Sequence, residues 1–395
     1  MVFDAIAAYA AARRLPNSRA ELEKRQASRL TQLRQSFALS PALAPYADAE
    51  LSQIPVIDTA TFRAHFAAYS TVGLSHTDLF AAAEAAEHGH TARLPNGLSA
   101  GFSTGTGGGT RGLFVTSPQE RSVYAGLLAG KLFSPTDLLR VKRIAVCLRA
   151  GNPLYDRGRV RFFPLDLSGR DEAMERYDPQ VLIAPPQVLI ALATRGRVWP
   201  DLRRLFYGAE TLNESERVFI TARLGVRPDP IYQATEGFLG APCRLGTLHL
   251  NEDSLVFERE EIGGGRFRPV VTDLLRRSQL IVRLRLDDCL RPVTCACGSP
   301  LSAVAPVEGR MQDVWRWGDR VVWPAEVETT VTARTAPQHR WVATGHPEGI
   351  DYACEEDADA PALHAALTAF GQPLRRVSYD PREDMPKRRH VRWRA

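Results

Sequence analysis

The sequence predicts an α/β protein, with a large N-terminal domain of helix-covered sheets carrying an appended β subdomain and a small α+β C-terminal domain. Three observations lead there. Short β-rich runs alternate with helical stretches between about 100 and 230, the pattern becomes hairpin-like after 245, and Glu308-Gly309-Arg310 separates two differently patterned regions. That last feature sets the expected domains at 1–309 and 310–395. A chain of 395 residues is long enough for two or three folding units. Its 44% hydrophobic and 24% charged residues exclude long disordered or fibrous architectures.

Each element has its own signal. Residues 1–90 are rich in Ala, Leu, Glu and Arg, and the spacing of Leu22, Ala27, Leu30, Leu33 and Phe37 predicts helices, interrupted by Pro41, Pro45 and Pro55. Strands are expected at 113–116, 144–148, 160–165, 181–183, 205–207 and 231–232, with helices at 186–194 and 214–224. GTLHL, SLVFERE, FRPVVTDLL and QLIVRLRL then read as four successive strands. Beyond Gly309, strands at 340–344 and 374–379 flank an amphipathic helix at 361–370.

Charge and cysteine usage narrow the function classes. Fifty Lys+Arg against 45 Asp+Glu leave a net +5, spread thinly except in the last fifteen residues, where six basic side chains face Glu383 and Asp384. A short basic tail does not make a nucleic-acid binder, so no nucleic acid is expected as a partner. No apolar run approaches the ~18 residues of a membrane span, and the N-terminus carries Asp4, Arg13 and Arg14 where a secretory segment would be apolar. A cytoplasmic location follows as the expectation. Six cysteines stand at 147, 243, 289, 295, 297 and 354, two of them as C-x-C, a spacing that suits metal ligation better than a disulfide framework.

The segment Ser103-Thr104-Gly105-Thr106-Gly107-Gly108-Gly109-Thr110-Arg111-Gly112 packs five glycines and four hydroxyls into ten residues. Backbone N–H groups of such a loop can turn toward an anion without Cβ interference, and the hydroxyls and Arg111 add donors for phosphate oxygens. The Walker G-x-x-x-x-G-K-[ST] pattern is absent.

Four further motifs follow in order: Tyr207-Gly208-Ala209-Glu210; Tyr232-Gln233-Ala234-Thr235-Glu236-Gly237; Thr272-Asp273-Leu274 with 281–288 (IVRLRLDD); and Gly309-Arg310-Met311-Gln312-Asp313. Together with the loop, this series resembles adenylate-forming (AMP-binding) enzymes, most closely their phenylacetate–coenzyme A ligase-like branch, over about residues 20–390. The resemblance implies that a carboxylate attacks the α-phosphorus of ATP to give an acyl-adenylate and pyrophosphate. The acyl group then passes to a thiol of coenzyme A or of a carrier-protein phosphopantetheine. It implies phosphate binding by Ser103, Thr104, Gly105, Thr106, Gly107 and Arg111, the last standing where most relatives carry lysine. It places Gly208, Ala209 and Glu210 along the adenine and Tyr232 on the base. Thr235 would meet the phosphate, Glu236 would hold Mg²⁺ and Asp288 would accept the ribose hydroxyls, with the adjacent Asp287 left open. An acyl pocket lined by Tyr155, Phe162, Phe163, Phe206 and Tyr207 would suit an aromatic or medium-sized apolar acid.

The C-terminal part departs from the pattern. A hinge is expected at Arg310 and Asp313, with Gln312 in place of the first acid of Gly-Arg-x-Asp-Asp. Lys387 is the candidate for the lysine that bridges carboxylate and α-phosphate; a relative's Arg-His-x-x-Lys pattern would instead fall on Trp393, beside Arg392. These departures keep a second reading open, a nucleotide-binding homologue with impaired catalysis, and a third, transfer to a non-thiol acceptor. Partners would be a small carboxylic acid and, for the thiol route, an acyl carrier protein; a homodimer stays open.

Cys243, His249, Cys295 and Cys297 make a soft Cys₃His set suited to tetrahedral Zn²⁺ with no open position, a structural site. Cys147, in the apolar run IAVCL, reads as core, and Cys289 and Cys354 lack matching partners.

Overall fold

The computed structural model describes residues 2–87, 94–102, 112–148, 158–165, 167–381 and 389–395. Five parallel strands form the central sheet in the order Val160–Pro164, Ile144–Leu148, Val181–Ala184, Arg204–Tyr207, Pro228–Pro230. Helices Pro186–Thr194 and Glu214–Leu224 occupy the expected spans. Pro185 and Pro186 open the first. Asn213 and Glu216 form a capping box on the second, and Gly225 at φ 74° ends it. Leu182, Leu189, Leu192 and Ile220 are buried between this sheet and its helices.

The expected strand at 231–232 is divided between two sheets. Pro228 and Pro230 lack N–H donors, so they suit only the sheet edge, and the chain leaves there after one bond from Ile231 N–H to the Tyr207 carbonyl (2.7 Å). Tyr232–Ala234 begins an antiparallel sheet continued by Gly237–Pro242, Leu248–Leu250 and Ala303–Val304. A third sheet pairs the long hairpin Leu255–Gly263/Arg266–Asp273 with Leu284–Arg285, and Ile57–Asp58 joins in parallel. The fourth expected strand of this region shrinks to two residues. Leu280, Ile281 and Val282 are all buried, which the alternation of a one-sided strand does not allow, and Arg283 at φ 46° breaks the run.

Helix Val2–Arg13 lies against Pro118–Leu132 so closely that a Cβ on Gly126 would come within 2.1 Å of the Ala5 carbonyl oxygen. Both Pro118–Leu132 and Arg19–Arg34 dock on the turn 251–254. Lys131 Nζ lies 2.8 Å from each Asp253 oxygen, with both side chains 6% exposed; Arg19 reaches Glu252 at 2.7 Å and Gln26 the Glu252 carbonyl at 2.8 Å.

The C-terminal part has a core of its own, in which Trp315, Val327, Trp341, Ile350, Leu363 and Phe370 are buried. Its sheet runs Leu374–Arg376, Gly349–Cys354, Trp341–His346, Val391–Trp393, with the central pair antiparallel and both edges parallel. Helices Pro324–Thr332 and Ala360–Leu367 cover it.

Removing one partner of the buried Lys131–Asp253 pair strands a charge. Lys131→Met is expected to cost about 3–5 kcal/mol of unfolding free energy in urea titrations, and Lys131→Met with Asp253→Leu to recover a large part of it.

Candidate functional site

A cavity of about 1660 Å³ opens at the carboxyl ends of strands Arg204–Tyr207 and Pro228–Pro230, where open parallel sheets place their ligands. Four of the motifs meet on its wall. Tyr207 ends its strand, and Gly208 and Ala209 turn away from it. A side chain on Gly208 would sit 3.0 Å from the Ile231 carbonyl oxygen, and Ala209 is held at φ 71°, a strained value for a residue with a Cβ. Glu210 accepts a hydrogen bond from Gln187 Nε2 at 3.1 Å.

Thr235 and Glu236 form the two-residue turn joining Tyr232–Ala234 to Gly237–Pro242, so the hairpin's own geometry projects them into the cavity. Glu236 is 9% exposed. Burial pushes its carboxyl above the usual range, opposed by its own backbone N–H and by the charge of Arg63.

The two adjacent acids separate by role. Asp287 accepts from Arg268 Nη2 at 2.7 Å and from Thr59 Oγ1 at 3.4 Å. Asp288 accepts the Tyr232 hydroxyl at 2.7 Å and lies 3.9 Å from Arg310 Nε. Desolvation first, and then the Asp288 charge, hold the Tyr232 phenol well above its ordinary value, so it stays a donor. Arg310 also pairs with Asp288 through the backbone, and Met311 N–H donates to the Asp287 carbonyl at 2.8 Å. The expected hinge thus begins one bridge away from the expected ribose carboxylate. Asp313 is buried and clamped by both Nε and Nη2 of Arg389. Burial raises its carboxyl despite that partner.

Ser103, Thr104, Gly105, Thr106, Gly107, Arg111 and Lys387 lie outside the described residues, as does Tyr155. Phe102 and Gly112, which flank the loop, line the cavity, and so do Arg389, His390 and Val391, just beyond Lys387. The expected acyl pocket is corrected in part. Phe163 and Phe206 point into hydrophobic cores, because alternation along their strands turns them to the packed faces, and Phe162 does not reach the cavity. Tyr207 borders the cavity at the end of its strand, but its side chain packs in the same core as Phe163; Phe102, Phe114 and Phe238 line the cavity as well.

Asp273, which has no expected role in the sequence, also reaches the site. It is half-buried at the cavity wall, its Oδ1 caps the N–H groups of Leu275 (2.8 Å) and Arg276 (3.0 Å), and desolvation raises its carboxyl. The pattern Asp273-x-x-Arg276 carried that signal only in hindsight, since Arg276 and Arg277 are indistinguishable in the sequence.

The four expected metal ligands come together, their ligand atoms all within 4.8 Å of one another. Cys243 Sγ is 3.7 Å from Cys295 Sγ and Cys297 Sγ is 3.4 Å from His249 Nε2, close to the ~3.8 Å edge of a tetrahedron with ~2.3 Å Zn–S bonds. His249 Nδ1 sits 2.8 Å from the Leu301 carbonyl, which fixes that nitrogen as the donor and frees Nε2 for a metal. N–H groups of Leu245 and Ser299 point at the sulfurs of Cys243 and Cys297, both at 3.4 Å. Hydrogen bonding, first from Thr247, lowers the Cys295 thiol to about 6, while desolvation raises Cys297. Cys147 is core as expected, its thiol pushed up to about 12 by burial.

No protein-family model matches the sequence, and no curated protein does. Solved structures do. A 2-hydroxyisobutyryl-CoA ligase in its postadenylation state, in complex with R3-HIB-AMP, superposes with a TM-score of 0.66 at 16% identity over 97% of this chain and 90% of its own. The chain has the fold of adenylate-forming enzymes. The same ligase in its thioesterification state, with 2-HIB-AMP and CoA, gives 0.56 at 17% identity over 96% and 91%. The acyl acid amido synthetase AtGH3.15, in complex with 2,4-DB, gives 0.53 at 12% identity over 95% and 92%. In this adenylate-forming fold, among the described residues, no helix is long and apolar enough to cross a membrane.

Two outcomes follow from the geometry. A carboxyl whose pKa is raised on folding contributes stability that is complete below its ordinary 4.5 and is lost as pH rises through the folded value. Glu236→Gln is therefore expected to raise the Tm of the ligand-free protein at pH 8 and to leave it unchanged at pH 4, read by calorimetry. Protein purified without added metal is expected to contain one zinc per chain by elemental analysis, and Cys297→Ser to lose it together with several degrees of Tm.

Proposed function

We propose that this protein activates a carboxylic acid with ATP and Mg²⁺, forming an acyl-adenylate and pyrophosphate and then passing the acyl group to a thiol. The observation that carries the reading is the convergence of Tyr207–Glu210, the Thr235-Glu236 turn and Asp288 on one cavity flanked by both ends of the glycine-rich loop. In this reading Gly208, Ala209 and Glu210 border the adenine. Asp288, oriented by Tyr232, takes the ribose hydroxyls. Ser103, Thr104, Thr106 and Arg111 hold the outer phosphates. The position of Glu236, buried and anionic when its proton is displaced, suits a divalent cation that neutralises the departing pyrophosphate. Thr235 reaches the phosphate from the same turn, and Lys387 stabilises charge at the α-phosphorus.

The bonds balance simply. A carboxylate oxygen bonds to the α-phosphorus as the bond from that phosphorus to the bridging oxygen breaks, and pyrophosphate leaves. The thiol then attacks the acyl carbon and loses its proton, and AMP leaves carrying the former carboxylate oxygen. The apolar lining contributed by Phe102, Phe114 and Phe238 favours an aromatic or medium-sized apolar acid. Coenzyme A and a carrier-protein phosphopantetheine are the thiol acceptors, in keeping with the phenylacetate–coenzyme A ligase-like branch. A second reading, transfer to an amine, is favoured by the near full-length likeness to an amido synthetase.

We assign 310–395 to a mobile C-terminal domain that turns about Arg310–Asp313. Its separate core supports this; among its polar contacts with the rest are Thr211 Oγ1 to Glu328 at 3.0 Å, Arg266 Nη2 to Glu326 at 3.2 Å and His390 Nε2 beside Glu216 at 3.7 Å. The better superposition on the postadenylation state than on the thioesterification state agrees with a two-position domain. The Cys₃His set is assigned to zinc. The strand Gly237–Pro242 spans ~20 Å between Glu236 and Cys243, so a metal at one end would stiffen the hairpin that presents the carboxylate at the other.

ATP–pyrophosphate exchange over a panel of aryl and acyl acids tests the reading. At least one acid is expected to stimulate exchange, and Glu236→Ala or Asp288→Asn to lower it about a hundredfold or more. Tight ATP binding with no acid-stimulated exchange would leave a nucleotide-binding protein instead.

A further inference from the structure

Arg276 and Arg277 follow Asp273 on the loop that crosses the cavity wall, and the fold treats them differently. Arg277 spends its Nη1 on two backbone carbonyls, those of Leu274 and Arg276, both at 3.0 Å. Arg276 spends none of its five side-chain donors on a hydrogen bond among the described residues. Its side chain is 12% exposed, its Nη1 is buried without a partner, and Asp273 Oδ2 stands 4.0 Å from its Nε. Native proteins rarely bury a guanidinium donor unpaired, because its lost hydration is not recovered. What remains exposed of the side chain borders the cavity, where its other donors are open to a ligand. Asp273 fixes the backbone of the arginine and offsets part of its charge from one side. On the other side Arg276 acts on the Glu236 carboxyl, so the cation and the buried acid share one electrostatic environment.

We infer that Arg276 is a phosphate-binding residue, taking anionic oxygens of the nucleotide's outer phosphates beside the divalent cation held by Glu236. This rests on the proposed ATP site and names a contact that none of the motifs supplies. A planar fork of donors matches two oxygens of one phosphate, and in a desolvated wall each charge-assisted bond is stronger than in water.

Calorimetric titration of the full chain with Mg·ATP and, separately, with magnesium pyrophosphate tests the assignment. Wild-type protein is expected to bind both. Arg276→Met should weaken both about ten- to hundredfold, Arg276→Lys should recover part of each, and Asp288→Asn should weaken ATP while leaving pyrophosphate unchanged. Thermal melts of each variant separate loss of contact from loss of fold, and Arg276→Lys keeps the test open should the methionine variant misfold. Arg276→Met binding both probes as tightly as wild type overturns the assignment. So does a variant whose only defect is a raised KM for the acid in exchange, which would move the guanidinium to the carboxylate. A wild-type chain that binds neither probe overturns the nucleotide reading and this assignment with it.

Discussion

A carboxylate that is nine-tenths buried needs positive charge, and at Glu236 the chain supplies only part of it. Arg63 and Arg276 act on the acid without forming an ion pair with it among the described residues, and desolvation keeps its pKa above the usual range. Asp273 is raised by burial in the same wall. In the proposed site a divalent ion carried in with a polyphosphate would meet that need and would add oxygens for Arg276. Stability is lost at the turn so that binding can recover it, which is the usual relation between buried charge and function.

The surrounding architecture holds that turn still. Two strands meet in a two-residue link, so Thr235 and Glu236 have little freedom of their own. The Cys₃His cluster grips the far end of the same sheet, and Tyr232, at its near end, orients Asp288. Asp288 is in turn backbone-paired with Arg310, where the C-terminal part begins. In the proposed reading, the metal ligands, the acid turn, the ribose carboxylate and the hinge would follow one another along this sheet and the hydrogen bond and bridge that extend it.

Much of this was legible in the sequence, because local signals and motif order agree. The helices at 186–194 and 214–224 carry caps that mark their ends, and the Cys₃His set carries ligand chemistry that few other roles require. What was hidden depends on tertiary context. Nothing local distinguishes Phe163 and Tyr207, which pack in one core, from Phe206, which packs in another. The run 279–283 has strand composition, yet burial on both sides and Arg283 in the left-handed region make it irregular. Asp287 and Asp288 are neighbours in sequence, and only the positions of Arg268 and Tyr232 give them different tasks.

The fate of an oxygen atom tests the central claim most directly. Turnover of a carboxyl-¹⁸O-labelled acid with ATP and a thiol or amine acceptor, followed by mass spectrometry of the products, reads which phosphorus the carboxylate attacked. Attack at the α-phosphorus predicts AMP carrying one labelled oxygen. Label in inorganic phosphate, or AMP formed without label, would contradict it.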